Sequence, residues 1–480
     1  MQKRLRLATF ALGAALASRA WAADNCTSTD AFTIGSQADA DALGKCTEYA
    51  GDVLVSPDAL GNITIDGLVT IRGRLAKSTG GSAESVSLTG ITSETLETID
   101  GDLTITDFGG LQSIGLPGLR TVGGDAQIQR LPALVDLNLV AINAVGSLSL
   151  VSLPKVRSPN VGLGYLSEDT SKGLKFITSS TNAVVEIRDT GFEDVGGILN
   201  TWNASQLIIE DTPNLQSCLL LVWHVGEVRI KGNGNLTLHM AEKGWGIPQQ
   251  PIIEKLNITN VKHISPCLWP DVWDFIAINN TVEYLHFGFK AVRRLEIREN
   301  PNLKTLVPYN GKSLYEWNLT TMIVQDNPLL LLSQFPERPA NDTLTLADCP
   351  YIFNSSTDQW QWYPFHMDTL VIDARIDDTF FSSFEERYFE STTYADNALP
   401  KVLGDFEVTS TNSSFSCTKL DALRSGYGAF PGKYSCQGHT LDAGGVTKTG
   451  GGARAVGFFS SSSAWSILLI PLVVSTVLSL

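Results

Sequence analysis

The chain has 480 residues, with 50 Asp and Glu against 35 Lys and Arg and a formal net charge of −15. An acidic surplus of this kind excludes a nucleic-acid partner and disfavours direct binding to anionic lipid. It suits a soluble surface, and the length allows a large core or two lobes.

The chain opens with Lys3, Arg4 and Arg6, an apolar run from Leu7 to about Ser18, and the small-x-small sequence Ala20-Trp21-Ala22. This is the pattern of a secretory signal peptide, residues 1–22, cleaved after Ala22 or Ala23. The apolar run is shorter than the roughly 20 residues a membrane-spanning helix needs.

Secretion makes disulfides plausible for the seven cysteines. Cys26 and Cys46 lie close together at the start, and Cys417 and Cys436 close together at the end. Each pair is expected to close a local loop that seals one end of the structure. Cys218, Cys267 and Cys349 remain, which leaves one odd thiol. A bond between Cys218 and Cys267 is the weaker expectation.

The body between these pairs is repetitive. Leu103-Thr104-Ile105, Leu207-Ile208-Ile209, Leu295-Glu296-Ile297, Met322-Ile323-Val324 and Leu344-Thr345-Leu346 each place apolar residues two apart. That is the period of a short strand with one buried face. A further apolar residue follows six positions later: Ile105/Leu111, Ile128/Leu134, Leu150/Val156, Ile209/Leu215, Ile230/Leu236, Ile258/Ile264, Ile297/Leu303, Val324/Leu330 and Leu346/Ile352. Pro132, Pro154, Pro213, Pro301, Pro328 and Pro350 stand four residues after the strand position, several preceded by Asp or Asn. The unit is a strand, a turn shaped by Pro and Asx hydrogen bonding, and a side chain brought back inside. In the clearest stretches the strands recur after 23, 22, 22, 21, 27 and 22 residues. Such a period marks one coil of a solenoid, and a single coil buries too little to offset its own ordering, so coils must stack. The longer intervals near 151–186 and 231–257 hold insertions.

Residues flanking the inward strand positions must point outward. They form a polar sheet face that includes Glu186, Arg188, Glu210, Arg229, Lys231, Glu296, Arg298 and Asp373. This face is either a binding surface for a polymer or protein, or a solvated sheet whose charges pair across strands. Trp269-Pro270-Asp271-Val272-Trp273 and Trp360-Gln361-Trp362-Tyr363 offer aromatic rings able to stack on sugars, or to pack loops onto the solenoid flank. Asn-x-Ser/Thr sequons begin at Asn25, Asn62, Asn203, Asn235, Asn257, Asn279, Asn318, Asn341, Asn354 and Asn412. Their spread argues for an extracellular surface along the whole body.

No catalytic arrangement stands out. Glu385-Glu386 and Asp377-Asp378 are sequence neighbours, which face opposite ways on a strand. His224, His239, His263, His286, His366 and His439 lack metal-ligand spacing, and there is no Gly-x-Ser-x-Gly elbow. No enzyme activity, cofactor or metal is expected.

Residues 464–480 are apolar, and Gly450-Gly451-Gly452-Ala453 with a short spacer precedes them. A small attachment site, a spacer and a hydrophobic tail form the signal for a glycosylphosphatidylinositol (GPI) anchor. Gly450 or Gly451 fits the attachment site best, because Arg454 falls two positions after Gly452. The alternative is a C-terminal membrane helix, which usually carries Lys or Arg on its cytoplasmic side.

The stretch Ile99-Asp100-Gly101-Asp102-Leu103-Thr104-Ile105, followed by Leu111-Gln112-Ser113-Ile114, resembles the fungal GPI-anchored cell-wall organisation proteins, the extracellular-mutant and sporulation-specific family. The resemblance extends to the signal, the terminal cysteine pairs and the anchor. It implies a mainly β fold: a right-handed β-helix-like solenoid of leucine-rich, receptor L-domain-like repeats, in two lobes. The implied organisation is a signal at 1–22, a first lobe at 23–170, a second at 171–436, a Gly/Ser-rich linker at 437–463 and a tail at 464–480. The linker is short where the family often carries a long Ser/Thr-rich stalk. The implied function is a non-catalytic glycoprotein on the outer leaflet of the plasma membrane or in the cell wall, supporting wall organisation. Its partners are the membrane, through the lipid, and wall polysaccharide or wall proteins. A β-helical glycan-processing enzyme and a receptor-like glycan- or protein-binding module are the alternatives.

Overall fold

The computed structural model describes residues 25–79, 87–162, 182–195, 198, 203–220, 222–240, 252–264, 271–287, 292–308, 319–333, 366–389, 399–441 and 447–449. The fold is mainly β. Its backbone is a 17-stranded parallel sheet that begins at Phe32–Ile34 and ends at Tyr434–Gln437. In the first part of the chain each coil feeds three sheets in turn. Leu103–Thr106 joins the long sheet, Ser113–Gly115 a five-stranded sheet and Thr121–Val122 a four-stranded one. Ala126–Gln129 then returns to the long sheet one rung on.

The register is what the apolar spacing demands. Ile105 pairs with Ile128, Ile128 with Leu150, Leu150 with Ile187 and Ile187 with Ile209. A second column runs beside it through Leu103, Ala126, Leu148, Val185, Leu207 and Val228. Every residue of both columns is buried. The follow-on positions Leu111, Leu134, Val156, Leu215, Leu236, Ile264, Leu303 and Leu330 are buried as well. The inward side chains belong to one contiguous core.

Long intervals between rungs are insertions. Leu148–Leu153 pairs directly with Val184–Thr190, and His224–Lys231 with Ile252–Thr259. The long sheet therefore continues past residues 170 and 171. One sequence expectation needs correction. Thr321–Gln325 pairs directly with His366–Ile376, which leaves no rung between them for Leu344-Thr345-Leu346. That segment and Ile352 lie outside the described residues.

Nine coils leave the long sheet through a left-handed residue. Among the described residues nine non-glycine positions have positive φ: Asp107, Arg130, Ser152, Asp189, Asp211, Asn260, Asn279, Glu299 and Asp326. Six are Asp or Asn, the side chains that tolerate this conformation best. The residue after each one turns inward. In three successive coils it is Asn280, Asn300 and Asn327, all buried. The Asn300 side-chain amide donates to the carbonyls of Ala277 and Arg298, and its oxygen accepts from the backbone and side-chain nitrogens of Asn280. Asn327 serves Asn300 in the same way. The ladder satisfies backbone groups that the corner would otherwise bury unpaired.

The ends are sealed as the cysteine spacing suggests. Cys26 bonds Cys46 and Cys417 bonds Cys436. Cys436 ends the Ile105 column through its pairing with Val408. Helices Ser382–Phe389 and Thr418–Tyr427 and the rings of Phe381, Phe384, Phe406, Phe430 and Tyr434 cover the last coil. The weaker cysteine expectation fails: Cys218 carries a free, buried thiol. It sits on Ser217–Leu220 as an inward rung beside Leu238, where it fills core as a small apolar group. Cys267 and Cys349 lie outside the described residues.

Replacing Asn300 with Ala leaves the Asn280 backbone N–H without its acceptor and the Ala277 carbonyl without its donor. The expected loss is about 3 kcal/mol of unfolding free energy, read by chemical denaturation. Asn235→Gln, at an exposed site, is expected to stay within roughly 0.5 kcal/mol of the parent.

Candidate functional site: the outer face of the long sheet

Outward residues on neighbouring rungs stand in rows, because strands in a parallel sheet lie about 4.8 Å apart and side chains at matched register stack. Seven of the eight predicted face residues are paired within the protein. Arg188 lies 3.2 Å from Glu186 and 3.1 Å from Glu210. Arg229 lies 3.2 Å from Glu227, which also meets Lys255 at 3.0 Å. Lys231 lies 2.9 Å from Asp211. Glu296, only 7% exposed, is clamped between Arg294 at 2.6 Å and Arg298 at 3.0 Å. Asp373 is the eighth. It is exposed and has no ion-pair partner among the described residues.

The pattern is acid between bases, repeated along the sheet. Burial acts to raise the Glu227 carboxyl, but the hydrogen bond from Lys255 and the charges of Lys255 and Arg229 outweigh it, so the group sits below the usual carboxylate range. Asp211 holds Lys231 above the usual lysine range. These groups keep their charges near neutral pH, so they order side chains and do not exchange protons. The sequence could show which residues face outward. It could not show that cross-rung partners such as Glu227 with Lys255 or Arg188 with Glu210 occupy adjacent register positions, because the lengths of intervening coils vary.

Ion pairs between coils also occur in the first coils, one of them beside the four-stranded sheet and one between two corners of the long sheet. Arg72 bridges Glu48 at 2.8 Å and Asp100 at 2.9 Å, and Arg130 holds Asp107 at 2.6 Å. The hydrogen bond from Arg130 keeps the Asp107 carboxyl below the usual range. The carboxylates singled out as adjacent pairs do structural work. Asp377 accepts from the backbone nitrogens of Thr379 and Phe380, and the buried Glu385 accepts from Lys419 at 2.8 Å. Trp273 is half-buried with the Arg293 guanidinium 4.8 Å over its ring, so that face of the indole is occupied. Trp269, Trp360, Trp362 and Tyr363 lie outside the described residues. No group of three or more His, Cys, Asp and Glu able to hold a metal occurs among the described residues.

Two curated proteins are similar to this chain. One is "Protein ecm33" of Aspergillus fumigatus, 28% identical over 247 residues, a match covering 48% of this chain and 55% of that protein. The other is "Cell wall protein ecm33" of Schizosaccharomyces pombe, 26% identical over 154 residues, covering 32% of this chain and 30% of that protein. The similarity supports the fungal Ecm33 family.

The chain spans about half the length, or less, of the curated relatives it matches. No protein-family model and no solved structure matches it. The Ecm33 similarity agrees with the resemblance read from Ile99–Ile105 and Leu111–Ile114. Of the predicted sequons, Asn25, Asn62, Asn235 and Asn279 are exposed, and Asn203, Asn257 and Asn412 are half-buried. Asn203 and Asn257 stand on strands of the long sheet, and Asn279 occupies one of the left-handed corners. Asn318, Asn341 and Asn354, the signal segment, Gly450, Gly451 and the apolar tail lie outside the described residues. No helix among the described residues is long and apolar enough to cross a membrane.

Burial pushes the Cys218 thiol up to about 12. Iodoacetamide at pH 8 is therefore expected to leave Cys218 unmodified in the native protein and to modify it fully after denaturation, read by peptide mass spectrometry. Appreciable native labelling would contradict the buried placement.

The Asp107–Arg130 pair gives a pH prediction. A carboxyl held below its usual range contributes stability that is present above the unfolded aspartate pKa. That contribution is lost as pH falls through the folded value. Asp107→Asn keeps a side chain suited to the left-handed corner and removes the charge. The pair is partly exposed, so the expected loss at pH 7 and low salt is about 0.2–1 kcal/mol. The difference in thermal midpoint from the parent should shrink toward zero once both chains are measured below the carboxylate range.

Proposed function

We propose that this chain is a non-catalytic, GPI-anchored cell-surface glycoprotein that supports fungal cell-wall organisation and integrity. The observation that carries the reading is the similarity to two fungal ecm33 proteins, one of them named as a cell wall protein. The parallel solenoid is compatible with it: a long, self-stabilised column suits display outside the cell better than it suits a closed active site. Sequons on exposed corners and on the sheet face add support, since acceptor asparagines must be reachable by the glycosylation machinery. The Gly450-Gly451 cluster before an apolar tail supports the lipid anchor.

A scaffold is favoured over a glycan-processing enzyme by the state of the acidic side chains. Glu186, Glu210, Glu227 and Glu296 are each engaged by a cation, and Asp377 and Glu385 hold turns and helices. Glycoside hydrolysis needs two carboxyls facing one cleft, one of them free to carry a proton, and the acids of the regular rungs are held by cations instead. Among the described residues a receptor-like binding role is favoured by the surroundings of Asp373.

Phosphatidylinositol-specific phospholipase C is expected to release the full-length protein from intact cells, and deletion of its gene to sensitise the cells to wall-binding dyes. Mass spectrometry that finds the mature cell-surface protein still carrying Leu480 would overturn the anchor. Deletion cells with parental dye resistance would overturn the wall role.

A further inference from the structure

The long sheet breaks its own rule beside Asp373. Thr321–Gln325 ends at the left-handed corner Asp326, and the chain turns in through Asn327 and Pro328. The neighbouring strand His366–Ile376 carries Asp373 level with Thr409 of the next strand and runs on beyond the corner to Arg375 and Ile376, which pair with the short strand Leu331–Leu332. On the far side the next strand, Lys401–Ser410, ends level with Ala374, and Thr411 follows. Beside this offset end a notch of about 300 Å³ opens between the corner and Thr411, lined by Asp326, Asn327, Pro328, Asp373, Arg375 and Thr411.

Its charges differ in kind from those on the rest of the face. Asp326, Asp373 and Arg375 are exposed, and none has an ion-pair partner among the described residues. Across the regular rungs Arg188, Arg229, Lys231, Arg294 and Arg298 all meet a carboxylate within 3.2 Å. Two unpaired carboxylates and an unpaired guanidinium around one concavity form a hydrogen-bonding set without an internal partner.

The chemistry narrows the ligand. Ionised carboxylates only accept hydrogen bonds, the guanidinium only donates, and a threonine hydroxyl does both. An anion is repelled by two carboxylates against one cation, and an ammonium group donates to the carboxylates but offers nothing for Arg375 to donate to. A neutral molecule with adjacent hydroxyls fits all three: it donates to Asp326 and Asp373 and accepts from Arg375, through charge-assisted bonds stronger than neutral ones. The volume is at the small end for ligand pockets, enough for a single ring.

We propose that this notch binds one neutral sugar ring of a glycan. The inference deepens the cell-surface reading, which it needs only for the source of the glycan. There are two sources of the same chemistry. One is an external wall polysaccharide. The other is the chain's own N-glycan on Asn412, which follows Thr411 directly.

The test is titration of the full-length protein, made in fungal cells and purified in detergent, with laminarihexaose and chitohexaose, followed by calorimetry. A hexamer of galacturonate serves as the anionic control. A neutral hexasaccharide is expected to bind saturably, the galacturonate hexamer at least tenfold more weakly. Asp373→Asn and Arg375→Gln each weaken the neutral ligand at least tenfold, whereas Arg188→Gln, on the paired part of the face, leaves it unchanged. Binding that appears only in Asn412→Gln, and is lost again when Arg375→Gln is added, supports the same site filled by the chain's own glycan. No saturable binding in either background, or equal binding in the Asp373 and Arg375 variants, overturns the proposal. Release by phospholipase C is unaffected by these variants, so a failed notch and a failed surface assignment are told apart.

Discussion

Everything in this fold depends on one constraint: each coil must return to the same height on the long sheet. Parallel pairing at fixed register places Ile105, Ile128, Leu150, Ile187 and Ile209 in one line, and the line holds only if every coil closes. Coil length is the variable part: the flanking strands stay paired across the long intervals 154–183 and 232–251. The recurrent part, in nine coils, is the corner. A left-handed residue, usually Asp or Asn, takes the chain out of the sheet, and the next residue turns inward. Where that residue is Leu131 or Leu153 the corner is closed by apolar packing; where it is Asn280, Asn300 or Asn327 it is closed by hydrogen bonds. Both solutions meet the rule that buried backbone groups need partners. The asparagine solution also couples each coil to the next, since the acceptor for one coil's amide is the side chain of its neighbour.

The rung spacing was legible because burial on one face imposes a period, and a period survives in sequence. All eight described pairs from Ile105/Leu111 to Val324/Leu330 are buried in the structure. The terminal disulfides were legible for a related reason: cysteines about 20 residues apart enclose a single coil. Other features left no such trace. An Asn before Pro, as at Asn300 and Asn327, reads as a turn former, and nothing local says that its side chain points into the core. Cys218 looked like a disulfide candidate by elimination, although its place in the alternation of Ser217–Leu220 makes it a core residue. Leu344-Thr345-Leu346 has the period of a rung, yet Met322 and Val324 pair with Leu370 and Ile372. Period identifies a strand with a wet and a dry face; adjacency is a property of the whole sheet.

The candidate face followed the same division. Alternation correctly put Glu186, Arg188, Glu210, Arg229, Lys231, Arg298 and Asp373 outward. Glu296 also faces out, but its two flanking arginines bury it. Pairing across rungs was invisible because it depends on register between coils of unequal length. Its result is a face whose acids and bases largely neutralise one another.

A surface of that kind constrains where recognition can arise. To bind a ligand through Glu227 or Glu296, existing contacts to Lys255, Arg294 or Arg298 have to be broken first, and the ligand's bonds are offset by those lost. At a place where the lattice is interrupted no such exchange is needed. Interruption requires neighbouring strands of unequal length, which regular coils forbid and an irregular one permits. The strand His366–Ile376 follows the long segment 334–365, pairs with both Thr321–Gln325 and Leu331–Leu332, and shifts register against Lys401–Ser410 between Met367 and Thr369. It is the rung least bound by the repeat. The unpaired side chains of Asp373 and Arg375 are the direct consequence, and the regularity of the other rungs is what makes them stand apart.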